Sequence, residues 1–131
     1  MTSKILKSKK NFRWSGVPIR HYKETGDHFK NIVRQTLLGG DLPGLNFSAR
    51  YFEIAPGGYS SLETHRHVHV VFIVRGKGSV QLDKEQYRVK PFDCVYISPR
   101  TVHQFRPIGR EPLGFLCFVD QKRDAPKAVK R

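Results

Sequence analysis

The chain has 131 residues, enough for one domain with its own core, and its apolar (38%) and charged (27%) fractions are ordinary for a globular protein. No apolar run approaches the roughly 18 residues that a membrane-spanning helix requires, and the basic N-terminus lacks the apolar segment of a secretory signal. We therefore expect a cytoplasmic protein with no membrane partner. Cys94 and Cys117 lie in apolar runs and are expected to be reduced core residues rather than a disulfide pair.

The formal net charge is +13, and basic residues crowd both ends of the chain. Such a balance can indicate binding to nucleic acid, to an anionic membrane surface or to an anionic substrate. The sequence has no zinc-finger spacing, no RNP-type aromatic set and no helix-turn-helix periodicity. We therefore favour solvated basic tails, and nucleic-acid binding through those tails is the alternative.

Taken in chain order, residues 1–13 are polar and lysine-rich and are expected to form a disordered tail. Residues 14–22 carry glycine and proline, which suit an extended arm better than a helix. His21 lies in this arm and is interpreted as a surface or packing residue.

Residues 28–38 fit the spacing of either a helix or a strand. We favour a strand, because a turn-rich link follows it and residues 47–54 have the pattern of a partner strand. The run Pro56-Gly57-Gly58 is expected to end that partner strand.

Further strands are expected at residues 70–74, 79–83, 86–90, 94–97, 102–106 and 113–119. The strands at 79–83 and 86–90 have the spacing of a hairpin with its turn at Lys84-Glu85. Short strands about ten residues apart, separated by glycine and proline, predict an all-β sandwich or barrel. This domain would occupy residues 14–120, and residues 121–131 would form a basic C-terminal tail.

A row of metal-ligand residue types precedes the strand at 70–74: Glu63, His65, His67 and His69 occupy every second position. Alternate residues of a regular strand share one face, so all four side chains would point to the same side. Imidazole and carboxylate groups are ligands for Fe, Mn, Ni, Cu and Zn. We therefore favour a site for one divalent metal over a solvated polar face.

The length of a straight strand limits which of these residues can share an ion. The Cα atoms of His65 and His69 would be about 13 Å apart, too far for good coordination angles. We therefore expect a bend or bulge around residues 66–68. Such a bend would turn His67 away from its neighbours, which makes His67 the doubtful member of the row.

The spacing of Gly57, Glu63, His65, His69 and Gly76 resembles the first motif of the cupin family, G-x5-H-x-H-x3-E-x6-G. Two residue types depart from that motif. Glu63 stands where the family usually has its first histidine, and His69 stands where it usually has the glutamate.

The second cupin motif, G-x5-P-x-G-x2-H-x3-N, is matched more loosely. Aligned on His103, it places Phe92 and Arg100 at its two glycines and Ser98 at its proline. Only His103 keeps the residue type of the motif.

The resemblance implies a cupin-type β-barrel, a double-stranded β-helix of jelly-roll type, with one divalent metal near its mouth. It implies the ligand set Glu63, His65, His69 and His103, and a rival set has His67 in place of Glu63. Fe or Mn is favoured for such a site, with Ni, Cu or Zn as alternatives. The resemblance also implies a homodimer.

We expect a metal-dependent enzyme acting on a small molecule, and we favour an oxygenase of the dioxygenase type. Glu63, if it is not a ligand, is the candidate general base. Tyr96, Phe105 and Phe115 are candidates for an aromatic pocket wall, against the alternative of plain barrel core. Other hypotheses are a metal-dependent isomerase or lyase, and a cupin that binds a small ligand without catalysis.

Overall fold

The computed structural model describes residues 3–21 and 29–129, and within them all regular structure is β. The strands of the N-terminal half are β1 (Ser8–Lys9), β2 (Arg13–Trp14), β3 (Arg20–His21), β4 (Lys30–Leu38), β5 (Phe47–Tyr59) and β6 (Glu63–Thr64). Those that follow are β7 (His69–Arg75), β8 (Lys77–Leu82), β9 (Glu85–Val89), β10 (Cys94–Ile97), β11 (His103–Ile108), β12 (Leu113–Asp120) and β13 (Lys127–Ala128). The all-β prediction is therefore confirmed.

Two main sheets enclose the core. One has the strand order β10-β7-β12-β5-β4-β3, the other has the order β13-β6-β11-β8-β9, and β1 and β2 pair separately. Inward-facing side chains of both sheets form one hydrophobic cluster. Within it, Phe115 stacks on Phe52 and Phe105 with ring centroids 5.7 and 4.7 Å apart. The double-sheet barrel thus has an aromatic interior, as alternating patterns predict.

The predicted strand pairs are present. β4 pairs antiparallel with β5, which confirms the strand interpretation for the described residues 29–38; His28 lies outside them. β8 and β9 form the predicted hairpin, with Gln81 opposite Gln86 and a turn at Asp83-Lys84, one residue earlier than expected. Asp83 has φ 54°, the left-handed conformation that tight hairpin turns require.

The predicted break at residues 56–58 is wrong, because β5 continues to Tyr59. The pairing register with β4 shifts there, from Ile32 opposite Ile54 to Lys30 opposite Tyr59. Gly57 has φ +81°, and a Cβ atom on Gly58 would lie 2.5 Å from the carbonyl oxygen of Lys30. The glycines therefore form an irregularity within the strand, because only residues without a side chain fit that path.

The segment expected to be disordered, residues 1–13, contains β1 and the first residue of β2. Phe12 stacks on Tyr51 with ring centroids 6.0 Å apart, and Gln35 donates a hydrogen bond to its carbonyl oxygen at 2.8 Å. Aromatic burial against the outer face of β5 thus orders a lysine-rich segment. His21 is exposed on β3, which pairs with β4 as an extended arm would; Tyr22 lies outside the described residues.

The two cysteines differ in their environment. Cys117 is buried and Cys94 is exposed, so the expectation of two core cysteines is wrong for Cys94. Cys94 lies on β10, an edge strand, where alternation points Cys94 and Tyr96 outward and Ile97 inward. Within the described ranges, the structure contains no helix of the length and apolarity needed to cross a membrane.

Candidate metal centre

The histidine row lies where the chain passes from one sheet to the other. Glu63 and Thr64 form β6 of the five-stranded sheet, His69 begins β7 of the six-stranded sheet, and the chain bends at Arg66-His67 between them. The backbone N–H of Arg100 donates to the carbonyl oxygen of His65 at 2.7 Å, which fixes the start of the bend. The bend predicted at residues 66–68 is therefore present.

Three histidines converge at this bend. One ligand nitrogen from each of His65, His69 and His103 lies within 4.8 Å of the others. The ring centroids of His65 and His69 are 4.4 Å apart, although a straight strand would hold them far from each other. His103 comes from the start of β11, and its Nε2 is 3.2 Å from Nε2 of His65. The bend thus brings together the three histidines that the motif spacing singled out.

In two of these histidines, the ring nitrogen that faces away from the cluster is hydrogen-bonded to a backbone carbonyl oxygen. Nδ1 of His65 donates to the carbonyl oxygen of His67 at 2.7 Å, and Nδ1 of His103 donates to that of Thr101 at 2.8 Å. A proton on Nδ1 leaves the lone pair on Nε2, the nitrogen that points to the cluster. These hydrogen bonds therefore select the tautomer that a metal requires.

His67 is not turned away, contrary to the expectation from the bend. Its ring stacks on His65 with centroids 3.8 Å apart, and its Nε2 is 3.1 Å from Nε2 of His69. Two bonds of about 2.1 Å to one ion, at ordinary coordination angles, separate the ligand nitrogens by about 3.0 to 3.4 Å. The pairs His65–His103 and His67–His69 both have that separation. These two separations, and the trio of His65, His69 and His103 with nitrogens within 4.8 Å of one another, are compatible with a divalent transition metal.

Asp124 orients His67 from the C-terminal side. Its Oδ1 is 2.9 Å from Nδ1 of His67, and its two oxygens accept the backbone N–H groups of Arg66 and His67 at 2.9 and 3.0 Å. The hydrogen bonds from Arg66 and His67 hold the pKa of the Asp124 carboxyl below its ordinary value. β13 follows and pairs with β6, with Ala128 opposite Glu63. We call residues 124–129 the C-terminal strap, because they hold β6 and the bend in place.

The trio is neutral at physiological pH. Burial, followed by repulsion from His103, lowers the pKa of His65 to about 4. Burial and the neighbouring imidazoles of His65 and His103 lower the pKa of His69 to about 2, and burial lowers that of His103. Neutral imidazole is the form that binds metals, so no proton has to leave at neutral pH before an ion binds.

Glu63 lies beside the trio. It is 7% exposed, it is the register partner of His103 across β6 and β11, and its Oε1 is 3.8 Å from Nε2 of His103. The structure therefore brings the predicted set and the rival residue His67 to one place. The choice between Glu63 and His67 as a ligand stays a prediction.

A small cavity of about 40 Å³ lies beside the cluster. It is lined by Ile32, Arg50, Phe52, Ser60, Ser61, Glu63, His69, His103, Phe105, Phe115 and Cys117. Two of the predicted wall residues, Phe105 and Phe115, are in this set. Tyr96 is not, because it is 59% exposed on the outer face of an edge strand. The prediction for Tyr96 is therefore wrong.

Sequence reasoning missed three residues of this region. Arg50 lies two residues before Phe52 and four before Ile54, so strand alternation places all three on the inward face. An arginine at an inward position of a strand was the signal in the sequence that could have identified it. Cys117 is likewise an inward position of β12. Asp124 had no signal in the sequence, because its contact with His67 spans 57 positions of the chain.

In the loosely matched second motif, the residues at the two glycine positions have the backbone conformation that glycine favours. Phe92 and Arg100, which stand at the two glycine positions, have φ 75° and 65°. Non-glycine residues rarely adopt this left-handed region, so the alignment on His103 has a conformational basis. In the first motif, Gly76 has φ +69°, and a Cβ atom there would overlap the carbonyl oxygen of Pro112.

Comparison with known proteins identifies relatives of this chain. The family model described as a cupin domain matches residues 50–119. The 1-methylthio-D-xylulose 5-phosphate methylsulfurylase of Rhodospirillum rubrum is 44% identical over 117 residues, which cover 88% of this chain and 74% of that protein.

Two solved structures have a similar fold. A cupin 2 conserved barrel domain protein from Rhodopseudomonas palustris matches with a TM-score of 0.90 and 40% identity, over 97% of this chain and 87% of that one. A cupin-2 domain protein from Rhodospirillum rubrum matches with a TM-score of 0.84 and 40% identity, over 98% of this chain and 84% of that one.

Proposed function

This chain belongs to the cupin family, and from that premise we propose that it is a metal-dependent enzyme acting on a phosphorylated sugar that contains a carbonyl group. This proposal depends on one observation. Three histidines converge beside a carboxylate at the edge of a cavity: His65, His69 and His103 beside Glu63. The substrate class follows the name of the Rhodospirillum rubrum methylsulfurylase and suits the net charge of +13.

The reaction proposed is proton transfer at a carbon next to the carbonyl, which is the first step of isomerase and lyase chemistry. A bound divalent metal supplies Lewis acidity, which polarises a carbonyl and stabilises negative charge on its oxygen. His65, His69 and His103 would hold that metal, and His67 would be the fourth histidine donor. Imidazole donors suit Fe, Ni, Cu and Zn, and Fe or Mn stays the prediction from the family resemblance.

Glu63 moves the proton in this proposal. Its carboxylate lines the cavity with His69 and His103, so it faces the same space as the substrate carbon. It takes the proton from that carbon while the electron pair of the C–H bond moves into the carbonyl group, and it can return the proton to the same or the adjacent carbon. Phe105 and Phe115 give the cavity an apolar wall beside this carboxylate.

Solvent exchange tests the proposal without knowledge of the product. The metal-loaded protein is incubated in D2O with 1-methylthio-D-xylulose 5-phosphate or D-xylulose 5-phosphate, and deuterium next to the carbonyl is measured by NMR. We expect exchange that a chelator abolishes, that His103→Ala abolishes, and that Glu63→Gln slows by about 10²- to 10⁴-fold. The control is Glu85→Gln in the exposed β8–β9 hairpin, which should exchange like the wild type.

Two outcomes would contradict the proposal. Protein that holds no divalent metal after reconstitution would remove the centre itself. Metal-loaded protein that exchanges no deuterium but consumes O2 in a manner dependent on His103 would support the oxygenase hypothesis instead. The homodimer implied by the family stays a prediction.

A further inference from the structure

Arg50 is a buried arginine inside the cavity. It lies on β5, faces inward in register with Phe52 and Ile54, and is 7% exposed. It lines the same cavity as Glu63 and His103. Arginine cannot lose its proton in proteins, so the cavity holds a permanent positive charge.

The contacts of this guanidinium do not neutralise it. Nη2 is 3.5 Å from Sγ of Cys117, the guanidinium carbon lies 4.9 Å from the ring centroid of Phe52, and Nε is buried without a hydrogen-bond partner. No carboxylate among residues 3–21 and 29–129 forms an ion pair with Arg50.

Arg75 shows the contrast. Its guanidinium nitrogens lie 2.7 Å from a carboxylate oxygen of Glu53 and 3.5 Å from one of Glu111. Among the described residues, two carboxylates thus pair with the half-buried Arg75, and none pairs with the more deeply buried Arg50. A buried charge is retained at a cost in stability unless an opposite charge joins it.

The polar contact of this guanidinium is to the sulfur of Cys117, which is a buried thiol and not a carboxylate. The same sulfur lies 3.4 Å from Nδ1 of His69. It therefore lies between the guanidinium and the histidine cluster, and it shows how close the positive charge is to the candidate metal centre.

We propose that Arg50 binds an anionic group, phosphate or carboxylate, of the substrate whose carbonyl lies at the metal centre. This inference rests on the proposed function and assigns Arg50 as a specificity-determining residue within it. Nε and the Nη groups form a planar fork that matches two oxygens of either anion. Nε is available for such a bond, and Nη2 contacts only a thiol sulfur, which is a weak acceptor.

The experiment uses zinc-loaded protein, which is diamagnetic, with inorganic phosphate and acetate as probes. Anion binding is measured by calorimetry and by the NMR signal of the Arg50 Nε–H, which Arg50→Lys assigns. We expect phosphate, acetate or both to shift this signal, and we expect Arg50→Met to weaken binding by about 10- to 100-fold. Stronger binding of phosphate identifies a phosphate group, and stronger binding of acetate identifies a carboxylate.

The matched control is Arg106→Met. Arg106 is exposed on β11 and lies over the ring of Tyr59 outside the cavity, so this variant should bind anions like the wild type. If Arg50→Met does not fold, Arg50→Lys replaces it; we expect a smaller loss of anion binding, because lysine keeps the positive charge but lacks the fork.

Three results would overturn the inference: an unchanged Nε–H signal with both anions, equal binding by Arg50→Met and the wild type, or an equal loss in Arg106→Met. Zinc affinity is measured separately for every variant. Protein that binds zinc but shows no effect of Arg50 contradicts this inference alone, whereas protein that binds no metal contradicts the proposed function.

Discussion

At the scale of single residues, the candidate centre depends on what each imidazole does with its second nitrogen. Backbone carbonyl oxygens accept from Nδ1 of His65 and His103, Asp124 faces Nδ1 of His67, and Sγ of Cys117 lies 3.4 Å from Nδ1 of His69. Each contact keeps the proton, or a polar neighbour, on the side away from the cluster. The cluster is therefore organised for an ion before any ion arrives.

This arrangement predicts a pH dependence of metal-stripped protein. The pKa of His65 falls from its ordinary 6.5 to about 4 in the folded state, and those of His69 and His103 fall as well. Below pH 6.5 the unfolded chain therefore binds more protons than the folded chain. We expect the free energy of unfolding to decrease from pH about 6.5 towards 4, by about 1.4 kcal/mol per pH unit for each such proton.

Urea unfolding at a series of pH values measures this slope. His65→Gln removes one of the histidines. It should reduce the slope of the free energy of unfolding against pH by the contribution of one proton. A slope that His65→Gln leaves unchanged would mean that other groups cause the acid sensitivity.

Residue spacing predicted the site only in part. The motif spacing selected His65, His69 and His103, and the structure brings these three together. The position of His67 could not be predicted, because alternation fixes side-chain direction on a strand and fails at the bend. Whether His67 points inward depends on its contact with Asp124, which sequence spacing does not encode.

At the scale of elements, the C-terminal strap is part of the candidate centre. The sequence predicted a basic tail over residues 121–131, yet Asp124 accepts two backbone N–H groups of the bend, and β13 pairs with β6. The N–H of Val129 also donates to the carbonyl oxygen of Leu62 at 2.8 Å. The strap therefore fixes the segment that carries Glu63, His65 and His67.

We predict that Asp124→Ala weakens metal binding by about 10- to 100-fold, the usual effect of removing a partner that orients a histidine ligand. Competition with a chelator measures the affinity. Asp120→Ala is the control, because that residue is exposed on the last position of β12.

A double-mutant cycle with His67→Ala distinguishes orientation of the ring from general support of the bend. If Asp124 acts through the ring of His67, then Asp124→Ala has little further effect in the His67→Ala protein. Additive losses would show that the backbone contacts of Asp124 matter and that its contact with the ring does not.

The elements themselves were largely predictable. Alternation and turn residues located the β4–β5 and β8–β9 pairs, because these depend on local pattern. The path through Gly57 and Gly58 was not predictable, since glycine permits both a break and an irregular continuation. Order in the N-terminal segment depends on the contact of Phe12 with Tyr51, which lies 39 positions away in the sequence.

At the scale of the whole molecule, the charge of +13 attracts anions of any size. If the substrate is a sugar phosphate, attraction should raise the rate of encounter at low salt. We predict that kcat/KM decreases as NaCl increases from about 20 to 500 mM, because salt screens charges beyond about 10 Å.

The Arg50→Met protein gives the necessary comparison. Its kcat/KM should be lower at every salt concentration but should have nearly the same salt dependence, because one residue contributes little to the long-range field. DNA that binds with steep salt dependence and competes with substrate would instead favour the nucleic-acid alternative.

The C-terminal strap also has a consequence for the order of events during protein synthesis. All four histidines of the cluster leave the ribosome before Asp124 and β13, which complete their surroundings. A nascent chain therefore exposes metal ligands that are not yet held in position. We therefore expect the centre to reach its full metal affinity only once residues 124–129 are in place.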